Sequence, residues 1–178
     1  MKILLTLVYE LFLGERTGTV DKCLAQPMRQ LLQQVDEFGV KFTLFADAAY
    51  LYRLRELSGQ YATLSTDLQT MKGELQLLVK SGHDVQLHIH PQWYYSSFDG
   101  NQWNLDQRHY KLTDVPKNEI EALFKESKDL LDDIVGYKTH AFRAGGFSAQ
   151  PFEQIKSLFE ANGVRVDSSA CPGTRYDS

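Results

Sequence analysis

Two histidines, two residues apart, carry the first chemical signal in this chain. They lie in the stretch Gly82-His83-Asp84-Val85-Gln86-Leu87-His88-Ile89-His90-Pro91-Gln92-Trp93. Val85, Leu87 and Ile89 alternate with Gln86, His88 and His90, which is the period of a β-strand. The two imidazoles therefore share one face, and Pro91 stops the strand just behind them. Neutral imidazole is the commonest side-chain metal ligand and exchanges protons readily near neutral pH. The plainer reading pairs one buried structural histidine with one hydrogen-bonding histidine. Their common face at a strand end weighs against it, because parallel α/β proteins keep their chemistry at the C-terminal ends of strands.

The elements that would position these side chains can be read from hydrophobic period. Strands are predicted at 2–8, 40–45, 83–90, 139–143 and 164–167. Residues 2–8 form a continuous apolar run, as in a strand covered on both faces. The run is too short for the apolar region of a signal peptide, and Glu10 interrupts it. Cys23, Leu24, Met28, Leu31, Leu32, Val35 and Phe38 keep helical spacing over 20–38, and Gly39 stops that helix. Further helices are predicted at 48–57, 66–80, 117–135 and 150–162. Strands alternating with helices predict a parallel α/β architecture. Polar residues gather where the strands end: Glu10, Asp47, His88 with His90, Arg143, and Asp167-Ser168-Ser169. Such positions converge when the strands close into a barrel.

Residues 93–112 break the alternation. Asp99-Gly100 is a tight-turn pair flanked by Tyr94, Tyr95 and Phe98 on one side and Trp103 and Leu105 on the other, which predicts an exposed β-hairpin. Its aromatics are interleaved with Asn101, Gln102, Asn104 and Asp106. Sugar rings have apolar CH faces and polar edges, so Trp93, Tyr94 and Trp103 are candidate substrate-binding residues. The competing reading folds these aromatics back onto the main body.

At 178 residues the chain has the size of one domain, 1–178. A net charge of −4 without any Lys/Arg run argues against nucleic acid as a partner. No segment is long and apolar enough to span a membrane. Cys23 and Cys171 form no CxxC pair and read as free thiols in a reducing compartment, so a cytoplasmic location is the default expectation.

Three segments together resemble the polysaccharide deacetylase family, the NodB-homology carbohydrate esterases. They are Leu5-Thr6-Leu7-Val8-Tyr9-Glu10, Gly82-His83-Asp84 followed by His88, and Phe142-Arg143-Ala144-Gly145-Gly146 with Val166-Asp167-Ser168-Ser169 after it. The resemblance implies a partial or distorted (β/α) barrel and a hydrolase that removes acetyl groups from a sugar or polysaccharide. It also implies a divalent metal, usually zinc, held by an acidic side chain and two histidines, with a nearby aspartate as base. Carried over by position, Glu10 is the acidic ligand and His88 the first histidine. His90 stands in for the second, because the family's paired position, four after His88, holds Gln92. Arg143 is the guanidinium that pairs with the catalytic aspartate in the family. The position of that aspartate holds Val8, which leaves Asp47, Asp84 or Asp167 to supply the base. The family's final Leu-x-His segment has no counterpart before Ser178, so the expectation is either a domain truncated at its C-terminal end or an active site completed elsewhere. An open sheet edge makes a homodimer the expected partner besides the carbohydrate. The alternative function is a non-catalytic glycan-binding relative using residues 93–112, and a third is a structural α/β domain whose histidine pair is incidental.

Overall fold

A computed structural model describes residues 3–170 of the chain. Strands β1 (Leu5–Tyr9), β2 (Phe42–Asp47), β3 (Asp84–Ile89), β6 (Ala141–Ala144) and β7 (Val166–Asp167) form one parallel sheet in that order. Between them run α1 (Gln26–Val35), α2 (Ala48–Leu57), α3 (Ala62–Lys80), α4 (Gln92–Tyr95), α5 (Lys117–Val135) and α6 (Lys156–Ala161). A two-residue ladder, β4 (Ser97–Phe98) with β5 (Trp103–Asn104), is the antiparallel exception.

Local chemistry accounts for the main boundaries. Asp47 ends β2 and caps α2, its Oδ1 accepting from the backbone N–H of Ala49 at 3.2 Å and Tyr50 at 3.4 Å. Gly82 has φ of 83° and closes α3, with its own N–H on the carbonyl of Val79 and that of His83 on the carbonyl of Leu78. That turn sets the chain into β3. Pro91 then blocks further strand pairing, and residues 92–95 coil into α4 instead of entering a hairpin.

Paired residues of a parallel sheet face the same side, and successive residues alternate. Leu44, Ala46, Val85, Leu87, Ile89 and Phe142 face the helices and are buried. Phe124 of α5 and Phe159 of α6 pack on Phe142. The other face carries Val8, Phe45, Gln86, His88, Arg143 and Val166. Val8 is 42% exposed and Val166 49% exposed, so this face opens to solvent at both sheet edges. Residues 2–8 were expected to be covered on both faces. In the structure β1 is an edge strand with one neighbour, and Leu5 and Val8 are exposed.

The exposed hairpin expected at 93–112 also needs correction. Trp93 and Tyr94 lie in α4 and belong to the core, and the ladder spans only four residues. Cys23 carries a free thiol, while Cys171 lies outside the described residues. Among the described residues no helix is long and apolar enough to cross a membrane.

Candidate metal centre

Register brings the polar strand ends level. Asp47 pairs with His88, His88 with Arg143, and Glu10 follows β1 one residue after the Tyr9–Ala46 pair. Glu10 Oε2 lies 2.7 Å from Nε2 of His88 and 2.7 Å from Nε2 of His90. The two rings meet edge to face with centroids 4.8 Å apart. Both histidines are buried, and Glu10 is partly open, so the cluster is reached from one side. One donor atom from each of the three residues lies within 4.8 Å of the others.

Proton positions follow from the second nitrogen of His88. Its Nδ1 lies 2.7 Å from the carbonyl oxygen of Arg143. A carbonyl only accepts, so Nδ1 carries a hydrogen, and the Nε2 of a neutral ring then presents a lone pair. That lone pair faces a carboxylate oxygen, which also only accepts. The contact is favourable when a cation sits among the three donors. Burial opposes ionisation of Glu10, but its contacts with the His88 and His90 imidazoles outweigh it and hold the carboxyl at about 2. Burial likewise works against charge on His90, and the Glu10 contact together with the Asp47 charge reverses this and moves its pKa up. The cluster thus concentrates negative charge and nitrogen lone pairs around one point. Two imidazoles and a carboxylate, open on one side, fit a divalent cation.

Neighbouring groups brace the histidines. Asp47 is fully buried, and its Oδ1 also accepts from the backbone N–H of His90 at 3.3 Å. Burial raises its pKa, and its hydrogen bonds tie β2, α2 and β3 together behind the cluster. A Cβ added at Gly145 would run into the His90 ring, so only glycine lets the chain after β6 cover that imidazole. The Gln92 amide is buried, and both of its polar atoms lack hydrogen-bond partners among the described residues.

Other sequence candidates fall elsewhere. Arg143 was expected to be the guanidinium that pairs with a catalytic aspartate. Instead it donates from Nε to Ser168 Oγ at 2.9 Å and from Nη2 to Thr6 Oγ1 at 3.0 Å. Its guanidinium lies 4.2 Å from the Phe45 ring centroid, and burial moves its pKa down. Asp167 pairs with Phe142, so it faces the helix side, where its Oδ1 accepts from the backbone N–H of Ser169. This register separates it from the histidines. Asp84 opens β3 at the far end and bonds Gln86. Val8 shares the face of Glu10 and brings no carboxylate there.

Trp93 has no exposed surface, with Tyr50 at 4.5 Å and Trp103 at 5.2 Å between ring centroids. Tyr94 is buried and shares a hydrogen bond with Ser127. Neither offers an open ring face to a sugar, because the apolar core has claimed both. Trp103 is buried too, apart from an edge at a cavity. The roles of Thr6, Ser168 and the Arg143 carbonyl were not read from the sequence. They depend on strand register, which has no local signal. Asp47 had one, as an aspartate directly before a helical run.

Fold and cluster together define a parallel α/β protein with a carboxylate and two imidazoles at its strand ends. The polysaccharide deacetylase family model matches residues 17–159, and the chain belongs to that family. No curated protein matches the sequence. Among solved structures, a mutant of a CE4 family pseudoenzyme with restored enzymatic activity aligns at 11% identity and TM-score 0.54, over 92% of this chain and 43% of that one. The family 4 carbohydrate esterase from Streptomyces lividans, in complex with acetate, aligns at 12% identity and TM-score 0.53, over 92% and 60%. A polysaccharide deacetylase from Bacillus cereus aligns at 16% identity and TM-score 0.51, over 94% and 60%. At such identities the likeness is one of fold. The chain spans about half the length of these structures.

Proposed function

We propose that this chain acts as a metal-dependent deacetylase of acetylated sugars, with Glu10, His88 and His90 as the protein ligands. The observation that carries the reading is the convergence of both Nε2 atoms on Glu10 Oε2, with the Nδ1 hydrogen of His88 committed to the Arg143 carbonyl. A divalent ion bound there, zinc being the first choice, would polarise an acetyl carbonyl and acidify water. The chain's own groups do the rest. The Arg143 carbonyl keeps the His88 lone pair turned inward. Asp47 and Gly145 hold the position of His90. The Arg143 guanidinium supplies fixed positive charge on the same sheet face.

The test is acetate release from N-acetylated chitooligosaccharides with added zinc or cobalt, paired with calorimetric titration of the metal. Binding that disappears in Glu10→Ala, together with release above background, supports the reading. Absence of metal binding by the unmodified chain would overturn it.

A second reading is favoured by one observation: among the described residues no carboxylate other than Glu10 opens at the cluster. Position 8 is valine, Asp167 faces the helices and Asp47 is buried. A non-catalytic glycan-binding relative would bind oligosaccharide and release no acetate. We also propose self-association through the exposed edge strand β1.

A further inference from the structure

We infer that the cavity between the 97–104 hairpin, the 15–19 loop and the start of α3 is a binding pocket for a saccharide unit, separate from the Glu10–His88–His90 centre. Its volume is about 550 Å³, and none of the three cluster residues lines it. Ligand pockets run from roughly 300 to 1,000 Å³. The inference goes beyond the deacetylase reading and does not rest on it.

The lining matches the two-sided chemistry of a sugar ring. Phe98 and Trp103, with centroids 5.2 Å apart and planes at 57°, give an apolar wall. Asn101 and Gln102 stand at the rim with exposed amide side chains. Their backbone N–H groups both donate to Asp99 Oδ1 at 2.9 Å, so the hairpin tip presents those amides from a fixed turn.

The base of the pocket holds a polar group in need of a partner. Tyr50 lines the cavity, is 1% exposed, and its buried hydroxyl has no hydrogen-bond partner among the described residues. Buried hydroxyls are nearly always paired, and a sugar hydroxyl would satisfy this one. Asp67, half-buried on α3, also faces the cavity and enters no ion pair among the described residues; burial moves its pKa up. A carboxylate is a good acceptor for ligand O–H groups. Glu15 and Asp67 against the single Arg16 disfavour phosphorylated ligands.

The sequence contains two tryptophans, so two indole N–H signals report on the binding region. Tetra-N-acetylchitotetraose is titrated, without metal, into the ¹⁵N-labelled chain. The expected result is a saturable shift of the Trp103 indole and of the Asn101 and Gln102 side-chain amides. That shift should persist in Glu10→Ala. In Asp67→Ala combined with Gln102→Ala the affinity should fall at least about tenfold, the scale of losing hydrogen bonds to a charged group. Neither replaced side chain is part of the core, and an unchanged Trp93 signal verifies the fold. Lack of a saturable shift at these groups overturns the inference. So does a shift that survives the double substitution or vanishes in Glu10→Ala, either of which places the sugar at the metal centre. Failure of acetate release leaves this result untouched, so the two readings fail separately.

Discussion

At the scale of single residues, the centre depends on which atoms are forced to accept. His88 cannot turn its Nδ1 hydrogen away from the Arg143 carbonyl without losing a 2.7 Å bond in a buried site. If the cluster holds a metal as proposed, Glu10 is the one charged ligand of the three and so the least replaceable. Glu10→Gln keeps the size and removes the charge, and zinc affinity should fall by about 10²-fold or more, measured by competition with a chromophoric chelator. An unchanged affinity would mean the metal sits elsewhere. In the proposed deacetylase, catalysis would turn on a different position. Val8→Asp puts a carboxylate on the Glu10 face, one strand away from Phe45, over which Arg143 lies. Arg143 would keep that carboxylate ionised and able to take a proton. One positioned acid or base typically contributes about 10² to 10⁴ in rate, so acetate release should rise on that scale over the unmodified chain. Strong release by the unmodified chain would show instead that the base is already present. Val8 is exposed at an edge, so the change should leave stability nearly intact.

At the scale of elements, helix and sheet are joined by a buried ion pair far from the centre. Lys128 Nζ donates to Asp132 Oδ2 at 2.8 Å, and the other oxygen of Asp132 accepts from the Thr139 backbone N–H and hydroxyl. This pins α5 to the segment entering β6. Burial opposes charge on Asp132, but the hydrogen bonds from Lys128 and Thr139 prevail and hold its carboxyl below the usual range. Unfolding returns the group to its ordinary pKa near 4, so its contribution is complete above about pH 4. It is lost as the pH falls through the lower folded value. The melting temperature should drop on acidification below about pH 4, and part of that drop should vanish in Asp132→Asn. That variant should also be less stable near neutrality, by about 3–5 kcal/mol, because Lys128 stays buried without its charge partner. Equal acid sensitivity in the two proteins would assign the effect to other carboxylates.

At the scale of the molecule, the sheet leaves its site-bearing face partly uncovered. Val8 and Val166 stand exposed on that face, with Leu5 on the edge strand beside it. Exposed strand edges template pairing with other chains. Light scattering at rising concentration should therefore report dimers or larger species. Leu5→Lys should shift the population towards monomer by placing charge on the edge. A monomer at all concentrations would remove the self-association proposal.

Much of this architecture was legible in the chain itself. The alternation of Val85, Leu87 and Ile89 with Gln86, His88 and His90 set β3 and put two imidazoles on one face, because side-chain period in a strand is local geometry. Helix α5 was read at its actual bounds, since an amphipathic run ended by a glycine needs no distant information. The resemblance pointed to Glu10 and His88. What the sequence could not decide is what lies across from what. Arg143 meets Ser168 and Thr6 because β1, β6 and β7 curve towards one another, and no local pattern encodes that distance. Asp167 and Ser168 are neighbours in sequence, yet one faces the helices and the other the site, and register alone chose between them. Trp93 and Tyr94 resembled a sugar platform by composition, and the core took them because large apolar rings gain most by leaving water.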